Sequence, residues 1–351
     1  MGRVIDRRKD IDIAKALGII MVVWAHASGP SSSYINQFHM PLFFFISGML
    51  FKEPPDLKMY YVGKMKSLLI PFWICNYVLL LPFWVLYYWK NWSLFVLGRY
   101  VVEIATTVNK VPMLGATWFL TALFWVSVVF ASLSEICDKI REGVKDVIIL
   151  LSGIISCIIG MMITFPYRIS RVLICGCFFV LGYLYTKYIS VRLKNLVWKN
   201  IIAIIVLIGY IRIASINVVN MGSNEYKYKV LFVLGAIMAI YATLTLSEDI
   251  SLLKTGWLSK LVSHLVYIGS NTLPIVIWQF VFFRITILMQ IVIKKAPLSS
   301  LVSFPIYDGS GYWWLVYIVC GIYGSLAWNA LIDWCKKKST DEVLFWSSTD
   351  R

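Results

Sequence analysis

Charge is what this sequence has least of. Only 15 % of its 351 residues are Asp, Glu, Lys or Arg, and just 18 residues are acidic. A water-soluble chain carries about 25 % charged residues, so this one cannot present an ordinary hydrated surface. Histidine is scarcer still, with three copies, at positions 26, 39 and 264. The seven cysteines include no CxxC pair and have no metal-ligand company, which argues against a thiol redox motif, a structural zinc site and a disulfide framework. No metal is expected. Cys157, Cys175 and Cys177 fall inside apolar runs, where a thiol serves as small, soft packing. Low-complexity segments, linkers and appended globular stretches are also missing, so residues 1–351 read as one domain.

What is present in quantity is apolar. Hydrophobic residues make up 60 % of the chain, against about 45–50 % in a soluble domain. Long apolar runs recur from end to end, which makes the bilayer the solvent and the fold an all-α, polytopic transmembrane helix bundle. With roughly 20 apolar residues per span, ten spans are expected, at 12–28, 36–52, 68–89, 114–134, 146–164, 170–188, 197–216, 229–246, 266–293 and 312–334. The ninth is long enough to tilt or break. Segment 91–109 is apolar but carries Arg99 and Glu103 four apart, the pattern of a helix lying at the interface.

A net charge of +15 suggests a nucleic-acid partner only if the bilayer is ignored. With both termini in the cytoplasm, 21 Lys and Arg fall on the inner side, among them Arg3, Arg7, Lys194, the Lys336–Lys338 cluster and Arg351. Eight fall outside: Lys90, Arg99, Lys110, Arg168, Lys227, Lys229, Lys294 and Lys295. That is the positive-inside bias; no nucleic-acid partner is expected, and the bilayer is the expected one. An eleventh span at 91–109 would move the Lys336–Lys338 cluster outside.

The first span, IDIAKALGIIMVVWAHA, imitates a signal peptide. It has a basic flank, an apolar middle and a closing Ala-His-Ala. Lys15 interrupts it, and removing it would invert every basic loop, so it is read as a retained helix. Lys15 and His26 are eleven residues apart, which puts them within about 20° on one helix face and about 16 Å apart along the axis. Asp12 lies near the same stripe, and Arg8 four residues before it. Ionisable residues in a span usually face a cavity, although Lys15 can also snorkel to the inner headgroups. The chain re-enters at FHMPLFFFISG, with Pro41 suited to a helix start. His26 and His39 therefore flank one short hairpin at similar depth, a plausible acid–base centre. Of three arginines in or beside spans, Arg171, Arg212 and Arg284, the last is the strongest cavity residue.

These residues form a recognisable set. Lys15-x10-His26 and Phe43-Phe44-Phe45-Ile46-Ser47-Gly48 resemble the paired motifs of the acyltransferase-3 family of integral membrane acyltransferases. FHMPLFFFISG is similar to the branch around fucose 4-O-acetylase and other sugar O-acetyltransferases. LLIPF at Leu68–Phe72, Trp118-Phe119-Leu120 and YIGSNTLPI at Tyr267–Ile275 extend the likeness along the chain. Two positions depart from it. Where family members often carry Arg-x-x-Arg before the third helix, this chain has Lys64-Met65-Lys66-Ser67. Where the branch often has a histidine on helix nine, this chain has Trp278-Gln279.

The resemblance implies an enzyme of the bacterial cytoplasmic membrane that takes an acyl group, usually acetyl, from cytosolic acyl-CoA. The acceptor it implies is a hydroxyl of a glycan or lipid-linked sugar. Lys15, Arg8, Lys64 and Lys66 would meet the phosphates of acetyl-CoA. His26 would be the general base, with an acyl-histidine the less favoured route. His39 would orient the acceptor, share the proton or stabilise an oxyanion. Trp118 and Arg284 are the expected acceptor contacts, although Trp118 reads slightly better as an interfacial anchor. Ser47 is either a hydrogen-bond donor or part of a close helix contact. A transporter or flippase of glycan intermediates is the rival reading. It would require internal repeats and buried acidic relays, whereas the acids here sit in loops or at helix ends and the motif pair is not repeated.

Overall fold

The computed structural model describes residues 8–88, 93–107, 110–190, 192 and 197–349. Arg3, Arg7, Lys90, Lys194 and Arg351 of the charge tally lie outside them, as do residues 91, 92, 108 and 109. The chain is almost entirely helical. In a bilayer this follows from the backbone, because a helix satisfies its own N–H and C=O groups where water cannot. Its order is α1 (Lys9–His26), α2 (Ser32–Ile35), α3 (His39–Met49), α4 (Leu57–Lys64), α5 (Ile70–Tyr88), α6 (Leu94–Ala105), α7 (Trp118–Ile136), α8 (Glu142–Met162), α9 (Ile169–Leu184) and α10 (Lys199–Ile216). A two-stranded hairpin, β1 (Val219–Asn220) with β2 (Glu225–Tyr226), precedes α11 (Lys229–Ser251), α12 (Gly256–Ser270), α13 (Thr272–Lys294), α14 (Trp313–Val319) and α15 (Ser325–Thr349).

Among the described residues, eight helical stretches are long and apolar enough to cross a membrane. Two of the ten expected spans fall short of that measure for different reasons. α1 has 18 residues but carries Lys9, Asp10, Asp12 and Lys15. α3 has only 11 residues, about 16 Å of helix. Both are nevertheless central: α1 packs on α12, α11 and α3, and α3 packs on α9. Ile13, Ala14, Ala16, Ile19, Leu42 and Phe44 are fully buried.

Several boundaries move for identifiable reasons. α4 runs through a π-helical turn, Met65–Leu69, into α5, so the third span begins at Leu57. Asp56 starts it by accepting the Met59 N–H at 2.7 Å, satisfying one of the free donors of the first turn. The ninth expected span breaks at Asn271 into α12 and α13. His264, expected in a loop, is in α12 and bonds Tyr323 Oη at 2.8 Å. Lys145 also lies within a helix, buried, with its ammonium 2.6 Å from Glu53 and 3.2 Å from Asp138. That bond, with a second from Ser134, holds the Glu53 carboxyl below its ordinary range. Segment 91–109 contributes the 12-residue α6, too short to span, with Arg99 and Glu103 paired at 2.7 Å. All seven cysteines are free.

The contact between α3 and α9 is made backbone to backbone. A methyl group on Gly48 would lie 1.9 Å from the Phe179 carbonyl oxygen, and one on Gly182 would lie 1.9 Å from the Phe45 oxygen. The two glycines face each other's backbones, so FFxxSG ends in the residue that permits the crossing. Ser47 donates to Phe43 O within its own helix, at 2.8 Å.

Candidate functional site

A cavity of about 430 Å³ lies between the N-terminal hairpin and the loops at the same end of the bundle, within the usual range for a small-molecule site. His26 at the end of α1 and His39 at the start of α3 both line it. Ser33 and Asn36 of the intervening turn, Trp118 and Phe119 of α7, Val219–Gly222 of the β-hairpin and Pro305 complete most of its wall. The hairpin geometry anticipated from sequence thus brings the two histidines onto one cavity, together with Trp118.

Buried polar side chains fix the wall. Gln37 donates to Ala214 O at 3.1 Å and Asn217 O at 2.7 Å, tying the turn before His39 to the end of α10. Asn217 accepts the Tyr228 N–H at 2.9 Å and so closes the β-hairpin. Asn76, buried in α5, donates to Phe72 O and accepts the Val111 N–H at 2.8 Å. It thereby anchors the Pro112–Thr117 turn that delivers Trp118. Each of these buried amides thus holds a cavity-forming loop by at least one bond.

Each histidine has one nitrogen tethered. His39 Nδ1 lies 2.8 Å from Ile35 O; a carbonyl only accepts, so Nδ1 carries the proton. His26 Nδ1 lies 3.1 Å from Gln279 Oε1, while the same amide's Nε2 donates to Val276 O at 3.5 Å. With the amide turned that way, His26 Nδ1 is also the protonated nitrogen. Both Nε2 atoms are then unprotonated bases with no hydrogen-bond partner among the described residues. Phe280 packs against His26 with ring centres 4.8 Å apart and the planes tilted by 52°. Sequence reasoning named Trp278-Gln279 only as a departure from the motif it compared and gave Gln279 no role.

The remaining expected residues are not gathered. Lys15 pairs with Asp12 at 2.7 Å and Arg8 with Asp10 at 2.9 Å. Arg8 borders a small separate cavity with Lys199, Tyr185, Tyr241 and Glu248. Lys64 lies 5.3 Å from the Tyr60 ring, and no described cavity brings Lys64 or Lys66 to Arg8 or Lys15. Arg284 is nearly buried but does not line the histidine cavity. It donates to Leu301 O at 2.9 Å and to Ser303 O.

Arg284 therefore belongs to the fastening of loop 295–312, which supplies Pro305 to the cavity. Gln290 donates to Asp308 O, and Tyr317 bridges Tyr307 N–H and Gln290 Oε1. Asp308 bonds Lys294 at 2.6 Å and also accepts from Ser310, which together hold its carboxyl down to about 2. A depressed acid stabilises the fold fully above its ordinary pKa near 4 and loses that contribution as pH falls through about 2. Asp308→Asn is expected to speed amide exchange in 295–312 at pH 7. The wild-type loop should loosen in the same way only between pH 4 and 2; identical exchange in the two proteins at pH 7 would remove this role.

Residues 8–334 match the model of one protein family, described as an acyltransferase domain. No curated protein and no solved structure matches the chain.

Proposed function

The chain belongs to the acyltransferase-3 family and is a membrane acyltransferase, and on that footing we propose that it moves an acyl group, acetyl in the first instance, from cytosolic acyl-CoA to a sugar hydroxyl. The acceptor is a glycan or lipid-linked sugar at the outer side of the bacterial cytoplasmic membrane. One observation carries the reading: two imidazoles line one outer cavity, each tethered through Nδ1 to leave Nε2 as a base.

In this reading the acceptor hydroxyl gives its proton to His26 Nε2 as its oxygen attacks the thioester carbonyl. The carbon–oxygen bond forms, the carbon–sulfur bond breaks, and the departing thiolate recovers the proton from the imidazolium. Gln279 Oε1 favours the imidazolium by accepting its Nδ1–H. His39, tethered in the same wall, offers a second nitrogen to the acceptor. Trp118 supplies an indole face suited to a sugar ring. At the inner side the donor's phosphates meet Arg8 and Lys15, with Lys64 and Lys66 as further cations. They compete there with Asp10 and Asp12, so phosphate binding replaces two existing ion pairs rather than filling open charge.

Inside-out vesicles containing the protein, given acetyl-CoA labelled in the acetyl group, are expected to pass label to membrane glycan. Vesicles that hydrolyse or ignore the donor, with no label on glycan, would sink the reading.

A further inference from the structure

The amides around the histidine cavity are, with one exception, committed to the protein. Gln37 holds two carbonyls, Asn217 a backbone N–H and Gln279 an imidazole. Asn220 accepts the Ser223 N–H at 3.2 Å. Asn36 lines the same cavity, yet among the described residues its side chain has no hydrogen-bond partner. Backbone geometry does not call for an asparagine there either. In turns this residue usually bonds nearby backbone or tolerates positive φ, but Asn36 ends α2 with φ −58° and ψ −20°, ordinary right-handed values.

The backbone that presents this amide is pinned on both sides. The Tyr210 hydroxyl donates to Tyr34 O, Ile35 O accepts from His39 Nδ1 at 2.8 Å, and Gln37 is tied to the end of α10. Ser33, three residues earlier and so on the same face, lines the cavity as well. An unspent amide on a held backbone suits binding, because little freedom remains to be lost when a ligand arrives.

Charge is what the cavity wall lacks. Among the described residues, none of the side chains lining it is Asp, Glu, Lys or Arg. Arg284 and Asp308, which fasten the loop carrying Pro305, are bonded elsewhere. The Arg171 guanidinium is 5.6 Å from the centre of the Trp118 ring but does not line the cavity. An ionised group drawn in would give up water and meet no opposite charge. The wall offers neutral hydrogen-bonding groups instead, at Ser33, Asn36 and the two imidazoles.

We propose that the cavity takes a neutral sugar residue and that Asn36 binds the hydroxyl next to the reacting one, so deciding which hydroxyl meets His26 Nε2. The proposal rests on this cavity being the acceptor site. An amide suits the task because its oxygen accepts from one group while its N–H donates to another. A second anchor beside His26 stops the ring from turning, and so holds one hydroxyl in line for transfer.

NMR of surface glycan tests both halves, from cells that make the wild-type protein, Asn36→Ala or Asn36→Asp, and from cells without it. Extraction in mildly acidic buffer keeps the O-acyl groups from migrating. Wild-type glycan is expected to carry the acyl group at one hydroxyl of an uncharged residue. Asn36→Ala removes no bond within the protein, so its amount and its melting temperature in detergent should match wild type. Its acylation should fall about tenfold, the worth of one hydrogen bond at the top of the usual range. What remains should be divided between the original hydroxyl and its neighbour. Asn36→Asp keeps the size but adds a charge, and should do no better. If Asn36→Ala does not accumulate, Asn36→Ser carries the comparison. Acylation confined to the original hydroxyl in Asn36→Ala, whatever its amount, overturns the role of Asn36, as does wild-type acylation in Asn36→Asp. An acyl group on a uronate or a phosphorylated residue overturns the neutral site. Failure of the acyl-transfer reading looks different: wild-type glycan would then carry no more O-acyl groups than glycan from cells without the protein, and this inference would fall with it.

Discussion

His26→Ala is expected to lower acyl transfer by a factor of about 10² to 10⁴, the range a positioned general base supplies, with the protein still in the membrane at normal levels. NMR of O-acyl groups on cell-surface glycan from wild-type and variant cells measures it. The side chain is at a helix end beside a cavity, so its removal leaves space without forcing α1 to move. Gln279→Leu should lower kcat by about tenfold, the worth of one hydrogen bond at the top of its usual range, with KM unchanged. Gln279→Glu, which keeps an acceptor oxygen opposite Nδ1, should recover most of that loss. A purely structural Gln279 would show equal damage in both variants. Unchanged glycan acylation in His26→Ala would remove His26 from the reaction.

Gly48→Ala is expected to cost about 3 kcal/mol or more, at the severe end of overpacking, because the new methyl meets backbone rather than a movable side chain. Gly182→Ala should do the same from the other helix, the two contacts being reciprocal at 1.9 Å. Gly176, on α9 as well, has nothing within 4 Å of the added carbon, so Gly176→Ala is the matched control. Thermal unfolding in detergent should separate them by well over 5 °C or show the first two as aggregates. Three coincident curves would mean that α3 and α9 do not approach this closely.

How much of this was legible in the sequence depends on the range of the interaction concerned. Spans were visible because burial in lipid needs long apolar runs. The His26–His39 pairing was visible because a short turn forces the ends of two helices together. Gly48 was visible as a motif but not as half of a reciprocal contact, since Gly182 lies in a different span. Gln279 is 253 residues from His26, and no periodicity links them. Asn76 and Gln37 read as polar residues in or near spans, whereas they bond the loops that build the cavity. Arg284 stood out as an ion in an apolar run, but charge in a span does not say which cavity it serves. Its guanidinium went to the carbonyls of a loop.

The break at Asn271 has a mechanical side. α1 touches both helices that meet there. Near its N-terminal end a methyl on Gly269 of α12 would lie 1.7 Å from the Asp12 carbonyl oxygen, and at its C-terminal end His26 bonds Gln279 of α13. One continuous rod thus splints a two-piece joint. Backbone against backbone leaves no slack at Gly269, whereas a 3.1 Å hydrogen bond can stretch or let go. Flexing at the joint would therefore act on the His26–Gln279 bond first, and so on how His26 is aimed.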